Sequence, residues 1–225
     1  KQLNISVTAY AKSIGPVEVS PERMDLSEIQ NNRFCFPDAE AAKEAESYLD
    51  QKIAECDSVG GVVECVISGL PVGLGEPVFE KLDANLAKAI LSIGAVKGFE
   101  IGDGFAATKA CGSENNDEFR MDGDKIVKET NHAGGVLGGI SDGSDVIFRA
   151  AFKPTPSIAK SQETVTKDGE NIDLVIHGRH DPVVIPRAVV VVESMAAITA
   201  MDMLLMSMTS RLDLIQMFFQ VENAD

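Results

Sequence analysis

The sequence predicts an α+β fold built on antiparallel sheets. Three observations carry that reading. Residues 3–14 alternate apolar and polar side chains, the period of two expected of a half-buried strand. Helix-period segments follow Asp38 and Pro77, with strand-like runs between and after them. Asp-Gly pairs at Asp142-Gly143 and Asp168-Gly169 separate apolar runs, as hairpin turns do. Strands and helices mix without a regular βαβ repeat, which argues against a parallel sheet.

Each element follows from local chemistry. Gly15-Pro16 ends the first strand, and a polar region covers 20–36. Asp38 offers a carboxylate to the first amides of a helix running to about Cys56, rich in Ala, Glu and Lys. Gly60-Gly61 breaks that helix, and Val62 to Leu70 reads as a strand. Pro77 suits the first turn of a second helix, with Phe79, Leu82, Leu86, Ala89, Ile90 and Ile93 on one face. Ala95 to Ile101 is a strand again, and Asp103 is expected to cap a short helix that stops near Gly112. Residues 113–129 are a charged excursion, expected to be a mobile loop with a rudimentary hairpin. Val136 to Ile140 and Val146 to Phe152 read as strands paired through Asp142-Gly143. A second hairpin joins Glu163–Thr166 to Ile172–Ile176, and a long helix from about Pro182 closes the chain. No linker marks a boundary, so residues 1–225 are expected to form one domain.

Composition narrows the function. With 225 residues and 44% hydrophobic content the chain can bury a sizeable core. A net charge of -15 argues against nucleic acid or an anionic membrane as partner, since both attract clustered Lys and Arg. The stretch 145–190 is neutral, with 6 acids and 6 bases, and is the least repulsive place for an anion. Residues 188–208 are long and apolar enough to span a bilayer, but Glu193 and Asp202 interrupt them, which favours a helix buried in protein. Cys35, Cys56, Cys65 and Cys111 form no C-x-x-C pair and read as buried thiols of a reducing compartment. No secretory signal opens the chain, so a cytoplasmic location is expected. Lys1 stands directly before a strand-like run, so a segment upstream is expected to have been removed.

Four local features bear on chemistry. Gly102-Asp103-Gly104-Phe105-Ala106-Ala107 follows a strand as the dinucleotide fingerprint does, but the strand and ribose-binding acid that should come next are missing, so a tight glycine turn is the better reading. His177, His180 and Asp181 lack the spacing of a metal site, and no metal is expected. The Gly178-Arg179-His180-Asp181-Pro182 cluster instead sets a cation two residues from a carboxylate, suited either to anion and proton handling or to a structural pair at the helix start. Lys153-Pro154-Thr155-Pro156-Ser157 holds an ammonium group and two hydroxyls on a stiffened backbone, a fit to phosphate or to a flavin edge, or simply a strand exit. Thr130-Asn131-His132-Ala133-Gly134-Gly135-Val136-Leu137-Gly138-Gly139-Ile140-Ser141 lets backbone approach a planar ligand or another chain closely, and His132 is read as a structural histidine in preference to an acid–base group.

Taken in order, these segments resemble the chorismate synthases. The resemblance adds Gly73-Leu74-Gly75-Glu76-Pro77-Val78-Phe79-Glu80-Lys81-Leu82-Asp83-Ala84, the run Ala95 to Phe105, and Gly112-Ser113-Glu114 followed by Asn116-Asp117. It covers essentially the whole chain, read as the carboxy-terminal part of one such domain. It implies a β-α-β sandwich with helices between antiparallel sheets, the part lacking here being amino-terminal, and a homotetramer. It implies the 1,4-elimination of phosphate from 5-enolpyruvylshikimate 3-phosphate to chorismate, with reduced FMN and no net redox change. Matched by motif, the cofactor-binding positions are Gly94, Ala95, Gly138, Lys153, Pro154, Thr155, Pro156, Ser157 and Arg179. Arg179 and Asp181 match substrate-binding positions, and Asp181 belongs to the acid–base network. Gly94 stands where many members carry Asn or Pro, and Val183 where Cys is frequent. The family's Gly-Glu-Ser-His-Gly and Arg-Ser-Ser segments, with its acid–base histidines, have no counterpart here. The chain is therefore expected to be inactive alone. Two other readings are a non-catalytic FMN-binding or assembly module, and a nicotinamide oxidoreductase acting through Gly102 and Gly104.

Overall fold

Period-two alternation builds the central sheet. The structure is a computed structural model and describes residues 2–178 and 180–219. Its strands in chain order are β1 (Ser6–Ile14), β2 (Val17–Glu18), β3 (Gly61–Ser68), β4 (Val96–Ile101), β5 (Phe119–Asp122), β6 (Lys125–Lys128), β7 (Val136–Leu137), β8 (Ile140–Ser141), β9 (Val146–Phe152), β10 (Gln162–Val165) and β11 (Asn171–Leu174). The helices are α1 (Ala39–Ala54), α2 (Leu82–Leu91), α3 (Gly112–Asn115), α4 (Ile185–Met208) and α5 (Leu212–Phe219). One five-stranded sheet has the order β2-β1-β3-β9-β4, every pair antiparallel. Three two-stranded ribbons accompany it: β5-β6, β7-β8 and β10-β11. The architecture is α+β, as the patterning predicts, with one large sheet among the described residues.

The two faces of the sheet differ. Val63, Cys65 and Ile67 of β3 and Val146, Phe148, Ala150 and Phe152 of β9 are buried in alternation. α4 packs across β1 and β3, and α2 packs beside β4 and α4. Among the residues paired across the strands, Tyr10, Glu64, Arg149 and Glu100 form one row, since β-register places Tyr10 opposite Glu64, and Arg149 opposite both glutamates. The Tyr10 hydroxyl donates to Glu64 at 2.6 Å, and Arg149 Nε lies 2.8 Å from Glu100. That last contact is an ion pair outside the in-line direction of the N–H, so Nε has no hydrogen-bond acceptor. This row joins four strands by charge as well as by ladder hydrogen bonds.

α1 forms where Asp38 predicts it. The carboxylate accepts from the amides of Glu40 and Ala41, and Arg23 pairs with it at 3.0 Å. Ala41, Ala42, Ala45 and Leu49 turn one stripe of the helix into the core. α4 buries Ile185, Val189, Val192, Ala196 and Met203 on its sheet side, while Val190, Ile198, Met201 and Leu205 are exposed. By length and composition α4 is apolar enough to cross a membrane.

Several boundaries depart from the local pattern. The second helix starts at Leu82 rather than Pro77, because the Leu82 amide donates to the carbonyl of Gly139 at 2.8 Å. Val78 takes a left-handed φ of 66°, and Phe79, expected on the buried face, is 86% exposed. Val136-Leu137 pairs with Ile140-Ser141 across Gly138-Gly139, and not with β9. β9 lies instead between β3 and β4. The closing helix begins at Ile185 because Val183 is used in a bridge to Val59. Residues 113–129 are held near their ends, where Lys128 pairs with Asp117 at 3.1 Å and with Asp142 at 2.7 Å, all three side chains almost fully buried, while β5 between them is exposed. Of the four free cysteines only Cys65 is fully buried, and Cys56 and Cys111 are exposed.

Candidate functional site

The candidate residues collect where β9 leaves the sheet. The Lys153 amide donates to the Ala95 carbonyl at 3.0 Å, which brings the end of β9 against the start of β4. Ala95 holds a left-handed φ of 70°, and a Cβ at Gly94 would meet nothing within 4 Å, so this turn presents open backbone. Pro154 and Pro156 stiffen the exit. The Ser58 hydroxyl donates to the Thr155 carbonyl at 2.6 Å and anchors it from the opposite side. Gly60 allows the close approach, since a Cβ there would sit 2.3 Å from the Phe152 carbonyl oxygen.

The same anchor receives the Asp181 segment. The Val59 amide donates to the Pro182 carbonyl at 2.8 Å, placing Asp181 beside the Lys153–Ser157 exit. The Asp181 carboxylate is half-exposed and is held by the Arg187 guanidinium from the first turn of α4. His180 Nε2 lies 3.0 Å from the Ile176 carbonyl oxygen, which fixes its ring. Asp57 pairs with Lys160 at 2.5 Å, and that ammonium, then the Ser58 amide, holds its carboxyl below the usual range. A cleft of about 190 Å³ opens here, lined by Ile53, Cys56, Asp57, Ile158, Ala159, His180 and Pro182. Among the described residues Lys153 forms no ion pair, and its exposed ammonium remains the available cation of the cluster.

The structure thus brings together Gly94, Ala95, Lys153 to Ser157 and Asp181. Gly138 stands apart. It lies by the start of α2, whereas Ala95 follows its end, and the 10 residues of that helix span about 15 Å. Arg179 lies outside the described residues. Sequence reasoning missed Asp57, Ser58, Lys160 and Arg187. Ser58 and Asp57 precede Gly60-Gly61, which reads only as a helix breaker, and nothing local ties them to residues a hundred positions away. Arg187 did leave a signal, being a cation in the charge-neutral stretch one turn into the helix that follows Asp181.

The other motifs are accounted for by the protein itself. A Cβ on Gly102 would lie 2.1 Å from the His132 carbonyl oxygen, so the chain's own backbone occupies the place a pyrophosphate would need. The Asp103 carboxylate sits 2.6 Å from His132 Nδ1 instead of capping the turn after it. That opposes the nicotinamide reading. Among the described residues no three His, Cys, Asp or Glu side chains come together as a metal site.

The model of the family described as chorismate synthase matches residues 1–205. The chain belongs to the chorismate synthase family. It is 58% identical over 221 residues to a chorismate synthase of Lachnoclostridium phytofermentans, covering 98% of this chain and 60% of that protein. It is 61% identical over 218 residues to one of Agathobacter rectalis, covering 97% of this chain and 59% of the relative. A solved structure described as a crystal structure of chorismate synthase superposes with a TM-score of 0.76 at 29% identity, over 92% of this chain and 59% of that one. The chain therefore spans about 60% of the length of the chorismate synthases it matches.

Proposed function

We propose that this chain carries the flavin side of a chorismate synthase site, in an enzyme that eliminates phosphate from 5-enolpyruvylshikimate 3-phosphate. The observation that supports it most is the Lys153–Ala95 contact, which joins two segments matched to flavin positions that lie far apart in sequence. The residues fit an anionic planar group: an exposed ammonium, open backbone at Gly94, and the Thr155 and Ser157 hydroxyls on a proline-stiffened segment. Reduced FMN held by these residues would supply electron density to the allylic system of the substrate.

The chain's own groups do the rest of the work on this side. Lys153 offsets the charge of phosphate or flavin in a chain whose net charge is -15. Asp181 accepts or relays a proton, with Arg187 holding the orientation of its carboxylate. Arg179 is assigned to the substrate and flavin by its motif alone. Gly138 contributes open backbone at the far end of α2, with φ 62° and no atom within 4 Å of a built Cβ. By resemblance to the family, the reading extends to a whole enzyme that acts in the cytoplasm as a homotetramer.

A cleft of about 190 Å³ is smaller than the ~300–1,000 Å³ of most small-molecule sites, so these residues form part of a site. This favours, as the second reading, a module that binds FMN without turnover. Anaerobic titration with reduced FMN and substrate separates the two. We expect this chain alone to form no chorismate, whereas the full open reading frame does. Turnover by the chain alone at a rate comparable to the full protein would overturn the part-site reading.

A further inference from the structure

The motif Asn116-Asp117 has no role in the site described above, yet Asp117 is the most heavily bonded carboxylate in the region. It accepts from the amides of His132 at 2.7 Å and Ala133 at 3.0 Å, from the Thr130 hydroxyl at 2.8 Å, and from the Lys128 ammonium at 3.1 Å. Burial alone would raise this carboxyl, but the donors outweigh it and hold it well below the usual range. Its side chain is 4% exposed. Lys128 also pairs with Asp142, whose own amide donates to the Gly135 carbonyl at 3.1 Å. One buried carboxylate and one buried ammonium therefore grip the glycine run from both ends, at residues 130–133 and at Asp142. Between those ends the run makes the β7-β8 turn that displays Gly138.

We propose that Asp117 is a positioning residue for the flavin side of the site, acting through the Thr130–Ala133 backbone to hold the turn at Gly138. Glycines have the largest backbone freedom to lose on ordering, and this run takes left-handed φ at Gly134, Gly135, Gly138 and Gly139. Left without its clamp, the run samples other conformations, and a ligand resting on Gly138 must then order it on binding. The charged excursion is the part that supplies the clamp, which explains why residues so polar are held with nearly buried side chains at Asp117 and Lys128.

This inference rests on the flavin reading of Gly138. The test uses the full open reading frame, with Asp117→Asn and Thr130→Val beside the wild type. Asp117→Asn keeps the shape and removes the charge. Thr130→Val removes a single donor, so it reports even if the first variant fails to fold. FMN affinity is read by flavin absorbance, and loop order by amide hydrogen exchange. The expected result for Asp117→Asn is faster exchange at His132 and Ala133, with β1 and β3 unchanged. FMN affinity should fall about tenfold, and kcat at saturating reduced FMN should be retained. Thr130→Val should weaken FMN about threefold, by the same reasoning. Unchanged FMN affinity in folded variants, or in Thr130→Val alone where Asp117→Asn does not fold, would overturn the positioning role while leaving the flavin reading intact. Failure of the wild type to bind FMN would overturn both, and the exchange data would then show only a structural clamp.

Discussion

At the scale of single residues, carboxylates organise this chain more than its cations do. Asp38 is buried at the start of α1, where burial alone would raise its carboxyl. The Arg23 guanidinium and the amides of Ala41, Ser20 and Glu40 outweigh that and lower it. Asp117 is lowered in the same sense. A carboxyl depressed in the folded state adds stability that is fully present above its unfolded value, about 3.9, and is lost as pH falls through the lower folded value. We therefore expect thermal stability to fall away below about pH 4. Asn is as good an N-cap as Asp, so Asp38→Asn should keep the cap while losing the charge. Calorimetry across pH 3 to 7 should show a lower Tm for Asp38→Asn at pH 7, a stability loss on the order of 1 kcal/mol, and a flatter acid limb. An acid limb identical to wild type would show that Asp38 is not a source of the pH dependence.

At the scale of elements, starts and stops follow tertiary partners wherever the local signal is weak. α1 has a strong cap in Asp38, and its start lies where the sequence puts it. α2 has no side-chain cap, and its first amide is satisfied by Gly139 from a distant ribbon, which moves the start from Pro77 to Leu82. The turn after β4 depends on glycine in the same way. Gly102 has φ 55°, and the space beside it is filled by the His132 carbonyl. Gly102→Ala should therefore destabilise by more than about 1 kcal/mol, since strain and overlap add. Denaturant unfolding would show this as a lower midpoint at unchanged slope. A midpoint equal to wild type would mean the β4 turn relaxes at no cost.

At the scale of the whole molecule, one sheet and three helices, α1, α2 and α4, enclose the core. Leu86 of α2 is fully buried in it. Leu86→Ala should cost about 2–5 kcal/mol from lost burial and the cavity left behind. For a chain of this size each kcal/mol lowers Tm by roughly 2–4 °C, so the effect is readily read in a thermal scan. A change below 1 °C would mean that α2 can collapse onto β4 and refill the space. The exposed apolar side of α4 and the small cleft at the Lys153 exit are both consistent with a chain that spans about 60% of the length of its relatives.

The sequence by itself determined the fold class, the α1 boundary, the hairpin at Asp168-Gly169 and the family. Each rests on side-chain periodicity, capping chemistry or collinear motifs, which are properties of neighbouring residues. Tertiary structure decided that β9 runs between β3 and β4, that Glu64, Arg149 and Glu100 share one row, and that Asp181 is held by Arg187. It also decided which candidates meet: Ala95 and Lys153 touch, while Gly138 stays at the other end of α2. The reason is physical. Alternation says which face of a strand is buried but not which strand lies beside it, and a carboxylate's donors are chosen by whatever backbone folding brings within 3 Å.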